Sequence, residues 1–433
     1  MRVKYPLKIS PNKRYLVDQE HNPFFLQGEA PWSLIVGVTK EDAEMYLANR
    51  SKKRFNAILV NLIEHAFCKN PPKNIYGEDP FRTPGDFTTP NEKYFQHADW
   101  VISKAAEYNI AVLLCPMFLG VPGSDHGWYD EIVAQSPAQC LEYGTFLGKR
   151  YSKFDNILWS IAADRNPDVN GMQRIDLISL GIKEYDSRHL MTAQCYPESS
   201  SVDIFSGGGW LDFNATYSYG IVHRKLLADY NHTPTMPTFF IESTYESEHN
   251  STEMQIRRQA YWAPLCGGFG HVFGNFFIWS FGGEFVNDAG WPPGFKEPWQ
   301  QTMEKSGTAG MVHWGDLFRS RRWYDLLPDQ KHKVVISGLG EFRGLDYLGA
   351  ALTSDGRTLI AYMPTPRAII IDLSKMKGST VRAWWFDPRS GNATQAGEFP
   401  TSGPTEFSPP GVGDWAFVLD DASFGLPPPG TTS

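Results

Sequence analysis

A repeating pattern between residues 23 and 280 constrains the fold most: short apolar runs alternate with polar loops and amphipathic stretches. Such alternation is typical of parallel β-strands connected by helices. Eight strands with interleaved helices favour an α/β fold, a closed (β/α)8 TIM barrel, over an open doubly wound sheet, and no Gly-x-Gly-x-x-Gly motif of dinucleotide-binding proteins follows the first run. The eight predicted strands are Phe24–Gln27, Ala57–Asn61, Ala111–Cys115, Ile157–Ile161, Met191–Gln194, Phe213–Thr216, Thr238–Ile241 and Asn275–Trp279.

Helix starts are signalled by capping residues. Thr89-Pro90-Asn91-Glu92 and Ser136-Pro137-Ala138-Gln139 each place a hydroxyl, a proline and an acid or amide in the order of a capping box, and Asn250 followed by Glu253 predicts a third start. Beyond the first of these, apolar residues recur on one helical face, as expected of a helix that packs on a sheet. They are Phe95, Ala98, Ile102 and Ala105.

After about residue 330 the sequence pattern changes to short strand-like runs in which apolar and polar residues alternate. Asp355-Gly356 between two strand-like runs predicts a hairpin, and the runs around Trp385 and Trp415 continue the pattern. A chain of 433 residues is long enough for a barrel and a second domain. We therefore expect a catalytic barrel over residues 1–330 and a small all-β sandwich over residues 331–433.

Charge and composition exclude several classes of partner. The formal net charge is −8, no block of Lys and Arg occurs, and no apolar run approaches the roughly 20 residues needed to span a bilayer. We expect neither a nucleic-acid partner nor a membrane segment. The five cysteines are scattered without a Cys-x-x-Cys pair, which disfavours disulfides and zinc. The first residues contain no apolar core of a signal peptide, so we expect a cytoplasmic protein, or a secreted one if a leader was removed.

Acids, amides and aromatic residues follow the predicted strands, where the active site of a barrel is built. Aromatic side chains stack on the flat faces of sugar rings, and 14% of this chain is aromatic. This inventory indicates a polyhydroxylated substrate. The residues predicted to bind it are Glu29, Trp32, Asn61, Glu64, His65, His126, Trp128, Arg165, Asn166, Tyr196, Tyr217, Tyr219, Tyr245 and Trp279.

Asp164 and Glu242 follow the fourth and seventh strands and would face each other across the barrel mouth. Glycoside hydrolysis needs two carboxyl groups, one protonated to assist the leaving oxygen and one ionised to attack the anomeric carbon or activate water. The pair therefore predicts a glycosidase in which burial and the nearby charge of Glu242 raise the pKa of Asp164, while Glu242 stays ionised. Glu64 and Glu246 are alternative carboxylates, the latter expected on a surface turn or at a helix start.

The same residues lie within longer stretches that resemble a known family. Together the stretches cover nearly the whole chain and are similar to the apiosidase-like family of glycoside hydrolases, followed by the β-sandwich called the putative collagen-binding domain. The first family is carried by Phe24–Trp32, Arg54–Asn56, Lys149–Tyr151, Asn156–Asp164, Phe240–Glu242 and Tyr245–Glu246, and the sandwich by Trp385–Gly391, Phe407–Pro410 and Asp414–Trp415.

The resemblance implies that Asp164 is the acid/base and Glu242 the nucleophile of a retaining mechanism. Two motifs depart from the family pattern. The usual Gly-Asp-Thr-Ala-Trp after strand one is Gly28-Glu29-Ala30-Pro31-Trp32, and the usual Gly-Gly-Asp is Ala162-Ala163-Asp164. The first change would move a carboxylate of the sugar subsite by one methylene.

We therefore expect an exo-acting, retaining glycoside hydrolase for a plant or microbial oligosaccharide or polysaccharide, because loops 120–129 and 282–299 would close the mouth into a pocket. No cofactor and no metal are expected. Two alternatives remain: a non-catalytic carbohydrate-binding protein, and a metal-dependent barrel hydrolase using His65, His126 or His223. The sugar is left open among apiose, arabinofuranose, rhamnose and glucose, as is the oligomeric state.

Overall fold

The computed structural model describes residues 2–282 and 297–431. Its N-terminal part is the expected barrel of parallel strands, with each strand paired to the next from the first to the fifth and from the sixth through the eighth back to the first. Between the fifth and sixth strands, Asp212 N donates to Met191 O at 2.8 Å, which closes the ring. The barrel strands are β1 (Leu26–Glu29), β2 (Ala57–Asn61), β3 (Ala111–Cys115), β4 (Ile157–Ala162), β5 (Met191–Gln194), β6 (Asn214–Tyr217), β7 (Thr238–Glu242) and β8 (Gly270–Phe273).

The eighth strand corrects the prediction. The strand lies at Gly270–Phe273, where it pairs with β1, and the segment expected as strand eight forms the short helix Phe276–Trp279 instead. Asn275 caps that helix, because its side chain accepts a hydrogen bond from Phe277 N at 3.0 Å. The apolar run from residue 270 to 279 holds both elements, and periodicity alone does not separate a short strand from a helical turn.

Helices lie between the strands and around the barrel. Ser136 and Gln139 form the predicted capping box, whereas the helix after β2 is capped by Asn91 rather than Thr89, and the helix after β7 is capped by Thr252 rather than Asn250. The helices are Leu34–Gly37, Lys40–Lys52, Glu92–Glu107, Tyr129–Ala134, Pro137–Tyr151, Val169–Tyr185, Ser201–Ile204, Val222–Tyr230, Glu253–Leu265, Phe276–Trp279, Trp299–Thr302 and Ser306–Arg319.

Side chains of each barrel strand alternate between the barrel interior and the layer beneath the helices. In β2, Leu59 belongs to the interior cluster, while Ile58 and Val60 pack in the cluster that faces the helices. This alternation follows from the two-residue period of a strand. It decides which of the polar residues at a strand end can reach the mouth of the barrel.

The C-terminal part is the expected sandwich of antiparallel strands. A six-stranded sheet lies against a three-stranded one, and the predicted hairpin turns at Gly356, whose φ of +74° suits glycine. The C-terminal sheet begins at Leu326. The large sheet has strands Leu326–Pro328, Gly349–Thr353, Thr358–Met363, Thr380–Phe386, Ala393–Pro400 and Trp415–Asp421; the small sheet has Val335–Ser337, Ile369–Asp372 and Pro404–Phe407; a separate N-terminal sheet has Lys8–Ile9, Leu16–Val17 and Pro23–Phe24.

The large sheet of the sandwich packs directly on the barrel. Tyr261 and Tyr362 stack across the junction with ring centroids 4.4 Å apart. Arg257 donates two hydrogen bonds of 2.8 Å to Asp414, and both side chains are at least nine-tenths buried. The contact therefore combines an apolar core with a buried ion pair.

The tryptophans of the sandwich are buried. Trp385 and Trp415 lie in the core between its two sheets, and Trp384 packs toward the barrel. They fill cores rather than form an exposed sugar platform. The five cysteines are buried and unpaired, and within residues 2–282 and 297–431 we find no helix that is both long and apolar enough to cross a bilayer.

Candidate active site

A pocket of about 180 Å³ opens at the carboxyl ends of the barrel strands. Its described walls combine acids, tyrosines and apolar aromatic rings, which is the mixture that sugar rings require. The lining residues are Trp32, Phe67, Phe118, Val121, His126, Asp164, Tyr217, Tyr219, Glu242, Tyr245, Glu248, Phe276 and Trp279.

Glu242 reaches this pocket because β7 contains a bulge. Thr216 pairs with Phe240, but the next residue, Tyr217, pairs with Glu242, so Ile241 is the extra residue. Phe239 and Ile241 point into the barrel, and regular alternation would therefore turn Glu242 outward to the helices. The bulge resets the alternation and aims the carboxylate into the mouth, a known use of bulges near active sites.

Asp164 reaches the pocket through an unusual backbone segment after β4. The φ angles of Ala162, Ala163 and Asp164 are +68°, +121° and +55°. Residues with a Cβ rarely adopt this region, and glycine adopts it freely. The segment explains why the family pattern has two glycines here, and it means that this chain keeps the same turn with two strained alanines.

Glu242 is held on two sides by hydrogen-bond donors. Gln194 Nε2 donates to Glu242 Oε2, and the Tyr245 hydroxyl donates to the same carboxylate. Tyr245 is itself fixed, because its oxygen accepts a 2.9 Å hydrogen bond from Trp32 Nε1. The carboxylate is thereby oriented by residues from three strand ends.

Both carboxyl groups have raised pKa values. Burial raises the pKa of Asp164 to about 7, against a partial lowering by a hydrogen bond from Tyr217. Burial and the charge of Asp164 raise the pKa of Glu242 well above its usual range. The charge that helps raise the pKa of Asp164 is that of Glu248 rather than that of Glu242, and the raised pKa of Glu242 differs from the expectation that this group simply stays ionised.

Half of the predicted site residues line the pocket. Beside the two carboxylates, aromatic side chains from four strand ends and one loop histidine are brought together as expected. They are Asp164, Glu242, Trp32, His126, Tyr217, Tyr219, Tyr245 and Trp279.

Glu29 does not line the pocket, which corrects the prediction that it binds substrate. Its carboxylate is fully buried on the outer side of β1, where Arg50 donates to both of its oxygens and the Tyr46 hydroxyl donates to Oε2. Leu26 of the same strand belongs to the interior cluster, so the alternation places Glu29 beneath the helix Lys40–Lys52. Glu29 is therefore a structural ion-pair partner.

Asn61 and Glu64 are also buried away from the pocket walls. The Asn61 amide is completely buried at the end of β2 and has no hydrogen-bond partner within the described ranges. Glu64 accepts a 2.6 Å hydrogen bond from the Ser33 hydroxyl, and burial raises its pKa to about 8. Glu64 therefore does not form the predicted contact with substrate. It is a buried carboxyl group that is mostly protonated at neutral pH.

His65 and Trp128 pack against each other rather than against the pocket. Their rings meet edge to face at 4.8 Å, and His65 Nε2 lies 2.8 Å from Glu131 Oε1. Trp128 also packs edge to face on Phe81 and Phe87 in the layer outside the barrel. Both residues stabilise the base of loop 120–129.

Arg165, Asn166 and Tyr196 lie beside the pocket and support its loops. The Arg165 guanidinium sits 3.5 Å over the Tyr129 ring and donates to Gly120 O at 3.4 Å. Asn166 Oδ1 accepts from Tyr196 N at 2.9 Å, and the Tyr196 ring is exposed. These contacts bind the segment after Asp164 to two neighbouring loops.

The structure adds five pocket residues that the sequence reasoning missed. Glu248 brings a third carboxylate, and its signal was weak because it lies six residues past β7 rather than at its end. The other four are apolar side chains of loops and of the misplaced eighth segment, for which a search for polar residues at strand ends has no signal. They are Phe67, Phe118, Val121 and Phe276.

Three further predictions concern the surroundings of the site. Glu246 is buried rather than on a surface turn, and it accepts from Gly307 N at 2.6 Å. His223 is buried at the junction with the sandwich, with Nε2 2.6 Å from Phe342 O. The loop expected over 282–299 lies largely outside the described residues. Within the described ranges no group of three or more His, Cys, Asp and Glu that could hold a metal occurs.

The fold and the paired carboxyl groups are those of a barrel glycoside hydrolase. Comparison with known proteins identifies its family. Residues 10–325 match the family model "Apiosidase-like, catalytic domain", and residues 327–420 match "Putative collagen-binding domain of a collagenase". The chain belongs to the apiosidase-like family and is a glycosidase.

Solved structures agree with this assignment. The chain is similar to a structure titled "Glycoside hydrolase", with 25% identity, 97% of each chain covered and a TM-score of 0.83. It is also similar to a glycoside hydrolase family 5 protein from Bacteroides vulgatus, with 26% identity, 96% of this chain and 93% of that one covered, and a TM-score of 0.84. No curated protein matches the chain.

Proposed function

We propose that the protein is a retaining, exo-acting glycoside hydrolase in which Glu242 is the nucleophile and Asp164 the acid/base. The observation that carries the proposal is the convergence of these two carboxyl groups, from β7 and β4, on one pocket. Each reaches it through a local irregularity of its strand end, a bulge for Glu242 and three positive φ angles for Asp164.

The roles are supported by the hydrogen-bond partners of each group, and protonation of Asp164 removes the charge that helps to raise the pKa of Glu242. Glu242 receives hydrogen bonds from Gln194 and Tyr245, which stabilise a carboxylate and point it at a reacting carbon. Asp164 Oδ1 is buried without a partner in the described part of the chain, which leaves it available to the glycosidic oxygen. A pKa of about 7 lets Asp164 donate its proton and then recover it from water.

In the first step, Asp164 protonates the leaving oxygen while Glu242 attacks the anomeric carbon and forms a glycosyl ester. In the second step, Asp164 removes a proton from water, whose oxygen attacks the same carbon and releases Glu242. The small volume of the pocket and its aromatic walls support binding of a terminal sugar, hence exo action, on a plant or microbial oligosaccharide or polysaccharide.

The test is the hydrolysis of a panel of aryl glycosides by Glu242→Ala and Asp164→Asn. We expect kcat/KM to fall by about 10³-fold or more for Glu242→Ala, because the covalent step is lost. Azide should restore activity to Glu242→Ala with inverted product, which NMR of the product distinguishes. Activity of both variants within tenfold of the parent would reject the assignment.

Retention itself is tested separately. A retaining enzyme has its two carboxyl groups about 5–5.5 Å apart and releases first the anomer of the substrate's own configuration, which time-resolved NMR detects. An initial product of the opposite configuration would establish inversion while leaving the two residues in place.

A further inference from the structure

Glu248 is a third carboxylate in the same pocket. It lies in the turn after β7 and lines the pocket beside Asp164 and Glu242. Its Oε2 accepts a 2.7 Å hydrogen bond from Tyr245 N, and the Tyr219 hydroxyl donates to the same group. Glu248 is thus anchored to two residues of the pocket wall.

The backbone is shaped to present this side chain. The residues on either side, Ser247 and His249, have φ angles of +67° and +47°. Glu248 N donates to Tyr245 O at 3.1 Å, and Ser251 N donates to Glu248 O at 2.9 Å, which closes the turn on both sides. Two strained residues in a turn held by hydrogen bonds, with a carboxylate between them aimed into a pocket, point to a functional position.

The described pocket walls carry three carboxyl groups and no Lys or Arg; His126 is their basic residue. A carboxylate can accept about four hydrogen bonds, and two donors already occupy part of that capacity on Glu248. The remaining capacity suits the hydroxyl groups of a neutral sugar. A sugar that carries its own carboxylate would instead bring a further negative charge among carboxyl groups that are already costly to ionise, because burial raises the pKa of all three.

We propose that Glu248 contacts the sugar that fills the pocket and makes the enzyme select neutral glycosyl residues over uronic acids. This inference rests on the proposed function for the identity of the pocket. It goes beyond it, because neither the family assignment nor the catalytic pair says which sugars are rejected. Specificity of this kind arises as much from repulsion of the wrong ligand as from attraction of the right one.

The experiment measures binding without turnover, so that its failure is distinct from failure of the proposed mechanism. Isothermal titration calorimetry at neutral pH compares D-glucose with D-glucuronate and D-galactose with D-galacturonate on the full chain. The variants are Glu248→Gln, which removes the charge and keeps an accepting oxygen, and Glu248→Ala. Glu253→Gln is the matched control, because it removes an exposed carboxylate five residues away.

We expect the parent and Glu253→Gln to bind one neutral sugar at least about tenfold more tightly than its uronate partner. In Glu248→Gln that ratio should shrink by about tenfold, through weaker binding of the neutral sugar and stronger binding of the uronate. Thermal melting establishes that each variant is folded, and Glu248→Gln stands alone if Glu248→Ala unfolds. An unchanged ratio in folded Glu248→Gln, or a parent that binds no neutral sugar or binds both partners equally, would overturn the proposal.

Discussion

The ends of β1 and β7 carry the same kind of residue in opposite roles. Glu29 and Glu242 each end a buried strand, and each accepts a hydrogen bond from a tyrosine, Tyr46 or Tyr245. Glu29 faces the helices and is neutralised by Arg50, whereas a bulge turns Glu242 into the pocket, where no guanidinium is among its described partners. The residue type is the same at both strand ends. Whether the glutamate has a structural or a catalytic role depends on the direction of its side chain and on the charge of its partner.

The largest expected effect is the contrast between two variants: Glu242→Gln should lose activity but keep its stability, and Glu29→Gln should lose stability but keep its activity. Glu242→Gln should lower kcat/KM by roughly 10⁴-fold, because the nucleophile is lost. It should not lower thermal stability, because the substitution removes a carboxyl group that is costly to bury as an anion. Glu29→Gln should destabilise the fold by about 3–5 kcal/mol, because Arg50 loses its buried partner.

Parallel measurements of kcat/KM and of urea unfolding on both variants make the comparison quantitative. Glu29→Gln should retain the kcat/KM of the parent at temperatures where it is folded. A fully stable but inactive Glu29→Gln would return Glu29 to the substrate subsite, and the comparison would fail.

The pH dependence of activity tests the protonation of Asp164 in the pocket. The mechanism needs Asp164 protonated, and its pKa is raised to about 7. As pH rises through that value the proton is lost, so kcat/KM should fall about tenfold per pH unit on the alkaline side. Asp164→Asn should lack this alkaline limb in its residual activity. An alkaline limb that persists in Asp164→Asn would assign the titration to another group.

The two tyrosines provide a matched pair with a smaller effect. Tyr245→Phe removes the donor to Glu242 and should lower kcat/KM by roughly tenfold with little change in melting temperature. Tyr46→Phe removes the donor to Glu29 and should cost about 1.5–3 kcal/mol of stability with kcat/KM unchanged. Equal losses of activity in Tyr245→Phe and Tyr46→Phe would contradict the prediction that only the Tyr245 hydroxyl supports catalysis.

The smallest expected effect concerns the turn that presents Asp164. Ala163→Gly should stabilise the protein by about 1 kcal/mol, because glycine relieves the φ of +121° at a modest entropic cost. Ala48→Gly, in the interior of the helix Lys40–Lys52, should destabilise it by about 1 kcal/mol. Opposite signs for one substitution type, measured by thermal melting, are the expected result; the same sign at both sites would mean that the turn is not strained.

Six of the eight barrel strands could be placed to within one residue from the sequence, because each is a compact apolar run between polar loops. The first, Leu26–Glu29, overlaps the predicted Phe24–Gln27 by two residues only, because Phe24 pairs in the N-terminal sheet. The eighth failed where Gly270–Phe273 and Phe276–Trp279 form one apolar run that contains a strand and a helical turn. Helix caps shifted by two residues at Asn91 and Thr252, where several polar residues compete for the capping position.

The site was harder to predict than the fold. The catalytic candidates and the tyrosines at strand ends converge, but a list of polar residues at strand ends ignores which face of the strand they occupy. Counting the alternation forward from Leu26 would have placed Glu29 outside the barrel. The same count would have rejected Glu242, because the bulge at Ile241 has no signature in a single sequence. The position of Glu248 depends on the strained turn and is likewise set by tertiary structure.

The ion pair between Arg257 and Asp414 has a consequence for how this chain can be divided. Arg257 belongs to the helix Glu253–Leu265, which follows the loop carrying Glu248, and its buried partner lies in the C-terminal sheet. A truncated barrel would leave the Arg257 guanidinium with the exposed Glu253, 3.7 Å away, in place of its buried partner, and would expose the aromatic surface around Tyr261. The sandwich thus covers part of the barrel's own apolar surface, and the barrel and the sandwich should unfold together in one cooperative transition.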